Sequence, residues 1–197
     1  MNHSVTTEGF GVRLRPVRME DAPFIVWLRN LDHARGRIGD TVDEAGQRAW
    51  LEKYFTRDGD YYFIIETARG LAVGAYGIYG VRGKSAESGR WVIRTDVPAA
   101  IPSAMLAFQT AFETLALDEL RVSTVATNKL VLSLNKKFGF RQTGITPNAQ
   151  VINGQPVDLV HFLLDARDWP KVYDKLGPLA KLAEAQVREW DQSQKEK

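Results

Sequence analysis

The sequence predicts an α+β chain in three layers, with a central mixed sheet of six to seven strands, mostly antiparallel, flanked by helices. Three observations lead there. Short runs rich in β-branched and aromatic residues, at 12–16, 61–66, 71–79, 87–95, 120–126, 140–152 and 157–164, read as strands. Between some of them, apolar residues recur at helical spacing. The helix begun by Ile101, Met105, Phe108, Phe112 and Leu115 separates two strands that no hairpin can join, so a crossover must place a parallel pair inside an otherwise antiparallel sheet.

The chain opens with an outer strand at 12–16, where apolar and basic residues alternate. A helix over 20–31 follows, carrying Phe24, Trp27, Leu28 and Leu31, and this periodicity gives Trp27 a packing role. Residues 33–40, rich in Arg and Gly, form a loop, and Thr41 to Glu44 has the pattern of a capping box for a second helix with Trp50, Leu51, Tyr54 and Phe55 on one stripe. Three strands then run as an antiparallel meander. Pro98 and Pro102 break the third before the long helix starts. After the 120–126 strand comes a short helix with Val131, Leu134 and Phe138 along one side, closed by Gly139, which takes the left-handed conformation without a Cβ clash. A hairpin turns at Asn153-Gly154. Pro178 is placed before a final helix that presents Leu179, Leu182, Val187 and Trp190, and the tail after it frays. Residues 1–170 are expected to form one domain and 171–197 a helical extension of it.

With 197 residues, the chain suits a single full core. Twenty-six basic against 24 acidic side chains give no field suited to nucleic acid or a membrane surface. No apolar run has the length of a membrane span, and the first residues lack a signal-peptide layout, so a cytoplasmic location is expected. The absence of Cys removes disulfides, thiolate metal sites and a Cys nucleophile, and three His make a His-based metal site improbable.

Asn128, Asn135, Gly139 and Phe140 fall where the Gcn5-related N-acetyltransferases (GNAT) carry an Asn-x-x-(Ser/Ala)-x-x-x-Tyr-x-x-x-Gly-Phe motif. Arg15-Pro16 with Glu20-Asp21, Ala111-Phe112-Glu113 with Leu117, and 158–162 before Trp169 extend the resemblance over roughly residues 12–169. Two departures stand out. The motif Tyr is Asn135, and the Gly-rich phosphate loop is replaced by Pro, Ala and Ser over 96–104. The resemblance implies the GNAT fold, a sheet splayed in its middle, and acetyl-coenzyme A or another acyl-coenzyme A as co-substrate, with no metal. It also implies a small-molecule amine as partner, and leaves a homodimer open. By the same resemblance, the backbone around Trp91, Ile93, Arg94 and Thr95 holds the pantetheine arm. Ser103 and Ala104 would lie at the diphosphate, with Asn128 and Asn135 also at the cofactor. The run from Glu87 to Trp91, with Ala99-Ala100 and 124–128, is similar to a branch of the family that includes acyltransferases of nucleotide-linked amino sugars. Arg29, Asn30 and Trp50 look like that branch as well, and with Tyr79 they are the candidate substrate-binding residues.

Amide formation from a thioester needs a neutral amine, a polarised carbonyl and a proton for the departing thiolate. Glu87, at the start of its strand, is the first candidate base and is equally readable as an exposed strand-end carboxylate; His161 is the second. Asp158 lies at an odd offset from His161 and is expected on the opposite sheet face. Asn135 cannot act as an acid but can donate a hydrogen bond, and Asn128 can cap its helix, bind the cofactor, or both. Arg29, Arg35 and Arg37 could bind a diphosphate, or simply form a solvated loop. The expected activity is direct acyl transfer to a primary amine, most simply of a nucleotide-linked amino sugar. Transfer to a ribosomal-protein N-terminus or an aminoglycoside is the alternative, and a non-catalytic ligand-binding module a further one.

Overall fold

A computed structural model describes residues 2–35, 43–152 and 154–194. Its core is one eight-stranded sheet in the order β1-β2-β3-β4-β5-β6-β8-β7. The strands are β1 (Thr7–Gly9), β2 (Val12–Pro16), β3 (Tyr61–Thr67), β4 (Ala72–Arg82), β5 (Ser85–Ile93), β6 (Glu119–Val125), β7 (Arg141–Ile152) and β8 (Gln155–Asp165). Every pairing is antiparallel except β5 with β6, the parallel pair that the crossover helix demands. The strand absent from the sequence reading is β1. It joins β2 through Phe10 and Gly11, whose φ angles of 53° and 78° suit the two-residue turn that matches strand twist.

The layers follow from which residues each strand turns to each side. Helices α1 (Ala22–Arg29) and α2 (Glu44–Tyr54) bury Ile25, Leu28, Leu51 and Tyr54 against Tyr62, Ile64, Ala75 and Val92 on one face. On the other, α3 (Ala100–Gln109), α4 (Lys129–Lys137) and α5 (Trp169–Ser193) enclose a core that includes Phe63, Tyr76, Met105, Phe108, Phe138 and Trp169. Helix α3 continues as a π-helical turn over Thr110–Thr114, where the Thr110 hydroxyl donates back to the Leu106 carbonyl at 2.7 Å.

Several boundaries differ from expectation. The first helix is shorter than 20–31, because a 3-10 turn over Met19–Asp21 precedes it. Trp27 is 46% exposed and stacks on Phe24 rather than entering the core. Thr41, the expected cap of α2, lies outside the described residues, as do Arg37 and Asn153; within them Asp43 caps α2 by accepting from Gly46 N at 2.7 Å.

The final helix does not begin after Pro178. It starts at Trp169 and carries Pro178 inside, so burial of Trp169, Val172, Leu176, Ala180 and Val187 outweighs the roughly 3 kcal/mol that an interior proline costs. The earlier start also moves the buried stripe, leaving Leu179 and Leu182 exposed. Near its far end, buried Asp191 accepts from the Thr67 hydroxyl at 2.7 Å and from Arg69 N at 3.3 Å, fastening the helix to the end of β3.

Candidate active site

The sheet opens between β5 and β6. These strands pair only from Ser85 to Ser88 against Glu119 to Val122, yet β5 runs on to Ile93 and β6 to Val125. Beyond Ser88 their facing backbone edges have no ladder partner in each other, and polar groups so placed must be satisfied by something else. A cavity of about 580 Å³ occupies the opening.

A second irregularity sharpens the first. Ala75 pairs with Val92 and Gly77 with Gly89, so Arg90 and Trp91 together face the single residue Tyr76. This is a β-bulge, which bends its strand and leaves a backbone group unpaired beside the cavity. Arg90 occupies it with φ 53°, a conformation uncommon for a residue with a Cβ. Its side chain is held accordingly. The guanidinium donates to both carboxylate oxygens of Asp60, at 2.6 and 3.0 Å, and lies 4.9 Å from the ring of Trp50 and 4.3 Å from that of Tyr79. The ion pair outweighs burial and raises the Arg90 pKa above its ordinary value. Sequence reasoning missed Arg90 and Asp60, since no local pattern links residues 30 positions apart.

On the sheet face that carries α3 and α4, each lip of the cavity wall holds one hydrogen-bonded pair of polar side chains. Tyr76 and Ser88 are buried on the β4–β5 side and hydrogen-bond each other through their hydroxyls. Across the opening, the Asn135 carboxamide donates to Thr124 Oγ1 at 3.1 Å, both residues buried. Asn128 accepts from Val131 N at 3.4 Å as the cap of α4 while also lining the cavity, and Gly139 closes that helix with φ 88°. Phe108, Phe138 and Trp91 supply the apolar part of the wall, with Trp91 Nε1 donating to Ser103 Oγ at 3.2 Å.

The opposite face of the split carries the candidate bases. Glu87 is exposed and stands beside Tyr79 on β4 and Arg121 on β6. Burial raises the Tyr79 pKa, and the nearby Glu87 carboxylate adds to the shift. His161 is engaged at both nitrogens, Nδ1 with the Ser123 hydroxyl at 2.9 Å and Nε2 with the Thr146 hydroxyl at 2.8 Å. Asp158 is directed elsewhere, accepting from Asn148 N at 2.9 Å.

All three candidate catalytic residues, Glu87, Asn135 and His161, thus line one cavity, together with Trp91, Ala104, Asn128 and Tyr79. The others stand apart from its lining. Ile93 leans towards Gly74, Thr95 is exposed, and Ser103 meets the site only through Trp91. Arg94 is paired with Asp96 at 2.7 Å and lies near the rings of Trp27 and Trp190. Asn30 turns back onto the Val26 carbonyl, Arg29 ends α1 outside the lining, and Trp50 sits behind Arg90.

A coenzyme A molecule fits this arrangement in two respects. The unpaired edges of β5 and β6 match the amides of a pantetheine arm, and α3 starts at Ala100 without a side-chain cap, leaving first-turn N–H groups for an anion. Among the described residues there is no cluster of His, Asp and Glu that could hold a metal, and no helix is long and apolar enough to cross a membrane.

The architecture is a mixed sheet split between two parallel strands, with helices on both faces. The acetyltransferase (GNAT) domain model matches residues 12–141, and the chain belongs to that family. No curated protein matches it by sequence. Among solved structures, a GCN5-related N-acetyltransferase from Brucella melitensis superposes with a TM-score of 0.78 at 20% identity, covering 90% of this chain and 86% of that one. The nucleotide-linked sugar GNAT FdhC gives 0.72 at 22% identity over 89% and 98% of the two chains. Spermidine N-acetyltransferase from Vibrio cholerae, crystallised with CoA and spermine, gives 0.73 at 18% identity over 82% and 99%. At these identities the likeness is one of fold.

Proposed function

We propose that this protein transfers an acetyl or short acyl group from acyl-coenzyme A directly to the primary amine of a small molecule, a nucleotide-linked amino sugar. One observation carries the reading: a single cavity passes through the opened β5–β6 pair, with the bulge at Arg90 beside it and Glu87 and His161 on its lining. The donor's pantetheine arm would lie along the free edges of β5 and β6. An amide N–H freed by the bulge would polarise the thioester carbonyl as charge develops on its oxygen. Coenzyme A supplies the activated acyl group; the chain orients it and manages protons.

An alkyl ammonium is mostly protonated near neutral pH, so a proton must leave before attack. Glu87, exposed at the mouth, takes it directly or through water. His161, bridged between two hydroxyls, positions such a water chain. For the acceptor, the surroundings offer guanidinium groups with which phosphate oxygens can pair. Arg121, held by Glu119, borders the space beside Glu87, and Arg90 and Arg57 share Asp60 next to it, so an anionic acceptor would meet individual paired cations rather than a net positive field. The fold shared with a nucleotide-linked sugar enzyme supports the same choice.

The test pairs calorimetric titration of acetyl-coenzyme A with thiol release over a panel of nucleotide-linked amino sugars, spermidine and aminoglycosides. Binding with turnover on a nucleotide-linked amino sugar is expected. No binding at millimolar ligand overturns the reading, and turnover confined to spermidine or aminoglycosides overturns the acceptor. Binding without turnover on any amine makes the chain a binding module.

A further inference from the structure

The family motif carries a tyrosine where this chain has Asn135, and a carboxamide has no proton to give. Another phenol nevertheless reaches the same cavity from the opposite lip. Tyr76 projects from β4 onto the α3 face, 2% exposed, and its hydroxyl is hydrogen-bonded to that of Ser88, 5% exposed, on β5. Both line the opening that Asn135 and Thr124 border from the other side. Tyr76 faces the bulge residues Arg90 and Trp91, so it lies level with the point where the free backbone amide is placed. We infer that Tyr76 is the proton donor to the departing thiolate, with Ser88 as its partner. This rests on the acyltransfer reading above.

The step balances. As the amine nitrogen bonds to the thioester carbon, the carbon–sulfur bond breaks and its electron pair stays on sulfur. The Tyr76 phenol passes its proton to that sulfur. The ammonium proton of the acceptor leaves by way of Glu87 before attack, and the second proton, which the bonded nitrogen sheds to become an amide, follows the same route to solvent. The phenolate regains a proton from solvent through the Ser88 hydroxyl. A hydroxyl has one proton and two lone pairs, so Tyr76 can donate to sulfur while accepting from Ser88. Burial holds the phenol above its ordinary pKa, which keeps it protonated in the resting site but makes it a weaker acid than the coenzyme thiol, so its transfer to sulfur is coupled to the return of a proton from solvent through Ser88. Tyr79, Glu87, Arg90 and His161 are the other titratable or charged groups lining the cavity.

The experiment reads the sulfur itself and needs no acceptor. Ultraviolet titration of bound coenzyme A, taken as the difference from bound desulfo-coenzyme A, reports thiolate formation. In the unaltered protein the phenol stabilises the thiolate; Tyr76→Phe is expected to move the bound-thiol titration up by about one pH unit. With an acceptor, thiol release is expected to fall about 100-fold in Tyr76→Phe with the KM for acyl-coenzyme A within about twofold. Ser88→Ala keeps the phenol and is expected to give a smaller change in the same direction. A purely structural Tyr76 would lower thermal stability and leave the bound-thiol titration where it was, and that result overturns the inference. If the unaltered protein binds neither coenzyme, the acyltransfer reading fails and the inference with it; binding with an unshifted Tyr76→Phe titration removes the inference alone.

Discussion

Asp60 and Arg90 form a two-pronged ion pair, at 2.6 and 3.0 Å, that holds the bulge residue Arg90 beside the cavity. Asp60 is 6% exposed, and Asn2 donates to its backbone carbonyl at 2.7 Å, so the acceptor is itself held. Replacing Asp60 by Ala leaves the Arg90 guanidinium among aromatic rings without its counter-charge. Stability is expected to fall by about 3 kcal/mol in denaturant unfolding. Arg90→Gly relieves the strain of φ 53° but leaves the buried Asp60 carboxylate with only the longer Arg57 contact at 3.9 Å, and is expected to cost a comparable amount of stability.

Asn135 and Thr124 tie α4 to β6 across the wall of the opening. Asn135→Ala deletes that bond in a buried place and is expected to lower stability by about 1–2 kcal/mol and to weaken coenzyme A binding severalfold. Calorimetry and thermal unfolding of the same variant separate the two effects.

Gly139 closes α4 with φ 88°, and a Cβ there would stand 2.7 Å from Val172 Cγ2 on α5. Gly139→Ala therefore combines a left-handed backbone cost with a clash against a packed helix. A loss of about 2–4 kcal/mol is expected in unfolding measurements.

His3 reports on pH. Its ring packs on Tyr61 and Phe63 at 5.1 and 4.8 Å, and burial lowers its pKa from the ordinary value. The folded state therefore prefers the neutral ring. The stability it contributes is complete above the ordinary imidazole pKa and is lost progressively as pH falls through that range. Thermal unfolding temperature is expected to drop over that window, with a shallower drop in His3→Gln.

Much of the fold was legible because local chemistry and tertiary structure agree. Asn128 caps α4 and Gly139 ends it, as their side chains require, and the crossover around α3 forces the parallel pair at which the sheet opens. Pro178 misled because helix interruption is a local cost, whereas the burial of Trp169 and Val172 that overrides it is set by distant partners. The same distinction separates the site residues. Glu87, His161 and Asn135 were found through a linear motif or strand position. Tyr76 lies inside the 71–79 strand where no motif singles it out, and Arg90 acquired meaning only when Asp60, the bulge and three rings met around it.

In the proposed reaction the opened β5–β6 pair holds an acyl donor for attack by an amine. Its most direct test is release of free coenzyme A from acetyl-coenzyme A, followed with a thiol reagent, with and without a nucleotide-linked amino sugar. Release is expected to depend on the sugar and to fall about 100-fold in Glu87→Gln. Release that is absent with every amine tried, or unchanged by Glu87→Gln, would contradict it.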